Sequence, residues 1–135
     1  MSPRPRVRRA AGFTLIELLI VIALVFVLAG IAMVQYSNSI TRAREAVLKQ
    51  DLYRMREAID QFYADKNKYP QSLDELVSEK YLRSVPQDPF TGATDTWQTV
   101  MSEPDPLNPT GQPGIYDVKS GSDQTAEDGT KYSDW

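Results

Sequence analysis

The sequence has neither cysteine nor histidine among its 135 residues. The first absence excludes a disulfide framework and a thiolate zinc site. The second removes the commonest general base and the commonest transition-metal ligand, so catalysis would have to rest on a carboxylate pair or on a serine with a lysine base. No carboxylate pair is marked out by its spacing, and there is no glycine-rich phosphate loop, zinc spacing or nucleophile elbow. The chain therefore does not read as an enzyme. There is no excess of basic charge either: the formal net charge is −3, and it becomes −7 once Arg4, Arg6, Arg8 and Arg9 are set aside. A domain of that sign is not built to bind nucleic acid. At this length there is room for one small soluble domain beside a membrane helix, and not for two.

What the sequence does have is one long apolar run, GFTLIELLIVIALVFVLAGIAMV, from Gly12 to Val34. From Phe13 onward it suffices to cross a bilayer as a helix, which takes about 20 residues. A single carboxylate interrupts it, Glu17. The four upstream arginines, with no acid among them, place the amino terminus in the cytoplasm and everything after Val34 outside. A cleavable secretory signal fits poorly, because hydrophobicity continues past the nearest candidate cleavage site, Leu28-Ala29-Gly30, through Ile31, Met33 and Val34. A plain anchor fits better but leaves Glu17 unexplained, since a carboxylate in hydrocarbon costs roughly 3 kcal/mol even on mild scales.

Gly12-Phe13-Thr14-Leu15-Ile16-Glu17 followed by an apolar helix resembles the amino-terminal signature of type IV pilins and pseudopilins. The resemblance implies that a membrane prepilin peptidase cuts on the cytoplasmic side after Gly12, releasing the leader Met1 to Gly12, that the new terminal residue Phe13 is N-methylated, and that Glu17 is the filament-assembly glutamate. The physical logic agrees. Cleavage creates an α-amino group, cationic near neutral pH, one helical turn from Glu17. In a filament that amine can meet Glu17 of a neighbouring copy, so both charges are compensated only after assembly. Relatives often carry a proline near the position of Val34, where the helix can loosen; here any loosening would rely on Gly30.

Neither glycine nor proline occurs between Gly30 and Pro70, and apolar residues recur in steps of three and four at Ile40, Ala43 and Val47, then at Leu48, Leu52, Met55, Ile59 and Phe62. The pattern predicts one helix from Phe13 to about Asn67, with its second half, residues 35–67, an amphipathic stripe lying under a small domain. A coiled-coil seam is the weaker account, because the repeat shifts between Val47 and Leu48. Ser72 with Glu75 is a capping box that opens a short helix through about Tyr81, with Leu73, Leu76, Val77 and Tyr81 inward. Val85 to Phe90 is an extended, proline-fixed link. The stretch YPQSLDELVSEKYLRSVPQDPFTG is similar to the segment after the long helix in the major pseudopilin of type II secretion systems. Further on, Thr96 to Met101 reads as a strand with Trp97, Thr99 and Met101 on one side, Glu103 to Pro109 as a loop, and Gly114 to Val118 as a second strand, paired antiparallel against the helix. The expected fold class is α+β and type IV pilin-like: a leader (1–12), a membrane-spanning polymerisation helix (13–34), its amphipathic continuation (35–67) and a head (68–135).

The tail KSGSDQTAEDGTKYSDW holds the one candidate metal site. Asp123, Glu127 and Asp128, with Ser120, Ser122 and Thr125, supply hard oxygens on a glycine-flanked loop, which suits calcium rather than a transition metal. The major pseudopilins are similar here, with a calcium-binding acidic loop and a terminal tryptophan, so the resemblance implies Asp123 and Asp128 as ligands, helped by backbone oxygens near Ser120 and Thr125. Trp135 is present, but Lys131-Tyr132-Ser133-Asp134 replaces the usual acidic-apolar ending. An acidic, glycine-rich tail without an ion is the other reading of the same residues.

Together these readings imply a structural subunit of a type II secretion pseudopilus, anchored in the bacterial inner membrane with its head in the periplasm. Its partners would be lipid before assembly, other copies of itself, the prepilin peptidase, an inner-membrane assembly platform and minor pseudopilins. Two alternatives stand beside it: a pilin of a surface type IV pilus, disfavoured by the missing carboxy-terminal cysteine pair, and a membrane-anchored binding or adaptor module that never polymerises.

Overall fold

The computed structural model describes residues 1–5, 12–104, 106–107 and 111–135. Most of the leader's arginines, and part of the expected loop Glu103 to Pro109, lie outside the described residues. The chain divides into two compact units, Met1–Ser39 and Ile40–Trp135. One helix, α1 (Leu15–Lys66), contributes to both.

In the first unit α1 starts two residues later than Phe13, because Thr14 caps it. The Thr14 hydroxyl accepts a hydrogen bond from the Glu17 amide at 3.2 Å, and its carbonyl accepts from Leu18 at 3.1 Å. From Leu15 to Val34 every large apolar side chain is exposed. By length and composition this stretch is apolar enough to cross a membrane, and none of its most apolar window is buried within the chain.

In the second unit α1 forms the floor of the core, burying Leu48, Leu52, Met55, Ala58, Ile59 and Phe62. The expected stripe began earlier, at Ile40, but Ile40, Ala43 and Val47 are exposed. The one-residue slip between Val47 and Leu48 explains the difference. It rotates the apolar face by about 100°, so only the later set looks into the head. At its end Asn67 takes φ 54° and donates to the Tyr63 carbonyl at 2.8 Å, a left-handed position that asparagine tolerates.

The second helix, α2 (Leu73–Ser78), opens as the capping box predicts, with Ser72 Oγ accepting from the Glu75 amide at 3.2 Å. The return bond differs: Glu75 Oε2 accepts from the amide of Gln71, at 2.6 Å. The helix stops short of Tyr81 because Lys80 adopts φ 67°. The Tyr81 amide then reaches back to the Leu76 carbonyl at 2.9 Å and Lys80 to that of Val77 at 3.1 Å, the bond pair of a Schellman ending. Tyr81 still packs inward, edge-on to Phe62 with ring centroids 5.4 Å apart. A lysine in the left-handed region carries a cost that glycine does not. Lys80→Gly should therefore raise the stability of the head by about 0.5–1 kcal/mol, read as a higher melting midpoint; a lowered midpoint would contradict this account of the helix end.

Two strands, β1 (Gln98–Met101) and β2 (Ile115–Lys119), pair antiparallel with Gln98 opposite Lys119, and the register slips between Val100 and Met101. Only β2 faces the core, through Ile115 and Val118. Of the residues expected on one side of the first strand, Trp97, Thr99 and Met101, the core takes only the first. Trp97 is buried, but it precedes the strand and anchors by donating from Nε1 to the Pro86 carbonyl at 2.7 Å; Thr99 and Met101 are exposed. The Ile115 amide bonds to the Pro70 carbonyl at 2.8 Å, which stitches the Tyr-Pro corner to β2. The link Val85 to Phe90 hides an unexpected fixture. Asp88 is fully buried, accepting from the Phe90 amide at 2.9 Å and from the Ser120 hydroxyl at 2.6 Å.

Candidate assembly helix and C-terminal loop

Gly12, Phe13 and Glu17 lie together at the start of the first unit. Gly12 and Phe13 precede α1, and Glu17 stands in its first turn with its backbone amide satisfied by Thr14. All three are exposed. A carboxylate in the first turn is favoured by the helix dipole. The surrounding Leu15, Ile16, Leu18 and Val21 are exposed too, so nothing in the described residues covers this end of the helix.

In the head, the tail docks on the second half of α1. Glu45 Oε1 accepts both the Tyr132 hydroxyl at 2.8 Å and the Glu127 amide at 3.1 Å. Burial and this hydrogen bond to Glu45 push the Tyr132 hydroxyl up to about 12. Arg42 pairs with Glu127 at 3.2 Å. Tyr132 stacks on Phe90 at 3.8 Å and meets Trp135 edge-on at 5.0 Å.

The candidate calcium ligands do not come together. Asp123 is exposed, as is Asp128. Asp128 Oδ1 accepts from the Thr130 amide at 3.0 Å and from its hydroxyl at 2.6 Å, which holds this carboxyl below the usual range. Glu127 is engaged by Arg42, and the buried Ser120 hydroxyl by Asp88. Among the described residues no three carboxylates form a group that could hold a metal ion. As placed, this donor set does not fit the six to eight oxygens that calcium takes.

The residue that gathers oxygens at this end of the head is Arg56. Its Nε donates to Asp117 Oδ1 at 2.7 Å, and its Nη2 to the carbonyls of Val118 at 3.0 Å and Trp135 at 2.6 Å. Nothing in the sequence sets Arg56 apart from the other charged residues on the amphipathic half of α1. Its partners lie 61, 62 and 79 residues away, and no local pattern signals them.

Comparison with known proteins separates the possible kinds of filament subunit. A family profile described as the prokaryotic N-terminal methylation motif matches residues 7–33. The type II secretion system core protein G of Klebsiella pneumoniae is 30% identical over 99 residues, covering 62% of this chain and 71% of the relative. The chain belongs to this family. The core protein G of Aeromonas hydrophila is 29% identical over 99 residues, covering 62% of this chain and 69% of the relative. The type IV major fimbrial protein FimA of Dichelobacter nodosus is 44% identical, but over only 57 residues and 36% of its length. No solved structure matches the chain significantly. Core protein G is a major pseudopilin, and a long amino-terminal helix with a small two-stranded sheet in the head is the type IV pilin-like α+β architecture. The resemblance to surface pilins fits less well. The relatives are structural proteins rather than enzymes, forming filaments from subunits that a prepilin peptidase has processed.

Proposed function

We propose that the chain is made as an inner-membrane precursor with its amino terminus in the cytoplasm and its head in the periplasm. Prepilin peptidase cuts it between Gly12 and Phe13 and methylates Phe13, and an inner-membrane platform then adds it, with minor pseudopilins, to a periplasmic pseudopilus that drives protein export. The observation that carries this reading is the first unit of α1: an apolar helix exposed along its whole length, bearing one carboxylate, Glu17, in its first turn. Such a surface is stable in a bilayer or among like helices and in neither case in water. The carboxylate argues for the second destination, because lipid offers it no partner. Lengthening the rod from its base would push on cargo or on the outer gate.

The test is the intact mass and amino-terminal sequence of the protein recovered from membranes of cells that carry the peptidase. The expected product begins at Phe13 and carries one added methyl group. A product that retains the arginine leader, or one cut near Ala29, would return the chain to the anchored, non-polymerising module.

A further inference from the structure

The carboxy-terminal segment must be closed against β2 and α1 by something positive, because the groups that converge there are oxygens: the Asp117 carboxylate and the carbonyls of Val118 and Trp135. A divalent ion is one way to join them. In this head the junction is already made by a side chain. The Arg56 guanidinium reaches all three at hydrogen-bond distance, with side-chain exposures of 35% for Arg56 and 26% for Asp117. Arginine is suited to the position, having a planar fork of donors, a permanent charge and no acceptor.

Nearby groups point the same way. Lys49 sits with its ammonium 4.8 Å from the Trp135 ring centroid, a cation over an aromatic face. Asp128, one of the two expected calcium ligands, lines the same pocket as Lys49, Arg56 and Trp135, a space of about 280 Å³. A calcium ion seated on Asp128 from that pocket would face two fixed positive charges. The other tie in the loop runs through a hydroxyl: Trp135 Nε1 donates to Thr130 Oγ1 at 2.7 Å, and that hydroxyl donates to Asp128 at 2.6 Å. The tail is thus linked from Trp135 through Thr130 to Asp128, and from Trp135 through Arg56 to Asp117, by protein groups alone.

We propose that the Arg56 guanidinium, rather than a calcium ion on Asp123 and Asp128, ties the carboxy-terminal segment to β2 and α1, so that the head of this chain closes and holds its stability without a metal ion. The inference rests on contacts within the head and stands whether or not the filament reading does. It is tested on the full chain in detergent micelles, melted in millimolar calcium chloride and in excess chelator and followed by tryptophan fluorescence, since both tryptophans, Trp97 and Trp135, lie in the head. The two midpoints should coincide. Arg56→Gln should lower the midpoint by about 5–10 °C in either condition, because it leaves the Asp117 carboxylate without its cation. Arg56→Lys should fall between the two, keeping the charge and losing the fork; if Arg56→Gln does not fold, this variant carries the comparison. A midpoint that rises with calcium and falls with chelator would show an ion binding the folded head and would overturn the proposal. So would an Arg56→Lys chain that melts like the unaltered one.

Discussion

Replacing Glu17 by glutamine should abolish filaments while leaving membrane insertion and leader cleavage intact. Insertion depends on the apolar length of α1, which the change does not shorten, and on the arginine cluster ahead of it. An amide is also easier to hold in hydrocarbon than a carboxylate, so a helix that only anchored the head would be improved by the substitution. A helix that polymerises would not. Under the proposed assembly each Glu17 meets the α-amino group of another copy's Phe13 in a dry bundle. Removing one charge leaves the other buried and uncompensated, a loss of roughly 3–5 kcal/mol. At 1.4 kcal/mol per decade this weakens each subunit addition by about 10² to 4 × 10³-fold, and the loss recurs at every step of growth. Electron microscopy of sheared filaments from cells that overproduce the chain, with peptidase processing checked by mass, separates the cases. Filaments of normal number and length from Glu17→Gln would sink the pairing.

The second large effect is expected at Gly121. With Gln98 opposite Lys119, continuing the register brings Thr96 opposite Gly121, just beyond the ends of β1 and β2. There the two backbones touch. A Cβ on Gly121 would overlap the Thr96 carbonyl oxygen and lie 2.9 Å from the Thr96 carbonyl carbon. Both neighbours are fixed: Trp97 is 7% exposed and bonded to Pro86, and Ser120 is fully buried and bonded to Asp88. Neither strand can retreat without breaking one of those anchors. Gly121→Ala should therefore cost about 3 kcal/mol, the upper end of overpacking penalties, which lowers the melting midpoint of a head this size by about 15 °C. Gly30→Ala is the control, since nothing lies within 4 Å of a Cβ there; the head's midpoint should not respond to it. Equal midpoints for the two variants would mean that the strand ends are farther apart than described.

What was legible in the sequence was carried by local signals. The uninterrupted stretch between Gly30 and Pro70 announced α1, Ser72 and Glu75 announced α2, and the turn-flanked apolar runs announced two strands close to their actual bounds. The amino-terminal motif lies within six consecutive residues, from Gly12 to Glu17, and was equally plain. The failures have a common cause. The phase slip at Val47 and Leu48 was visible, yet which half of the stripe would be covered depended on where the tail docks. Asp88 read only as part of an extended, proline-fixed link, because its partner, Ser120, is 32 residues away. The acidic tail suggested a cation site because composition shows which oxygens exist and not how the fold arranges them, and the structure leaves Asp123 and Asp128 exposed without a third carboxylate beside them. Arg56 was missed for the same reason, because it sits on an element read only for its periodicity.

The docking of the tail on α1 also sets an order of events. Glu45 waits for Tyr132 across 87 residues, and Arg42 for Glu127 across 85. Ribosomes and export machinery deliver the chain amino end first. A local helix can form as soon as it emerges, but contacts of this span must wait for their distant partners and for the closure of a long loop. The apolar floor from Leu48 to Phe62 is therefore complete long before its lid arrives. On the proposed topology the newborn subunit presents two sticky surfaces for that interval, one destined for the membrane and one for its own unfinished head, and the closing of the second would mark the moment when translocation of the chain has ended.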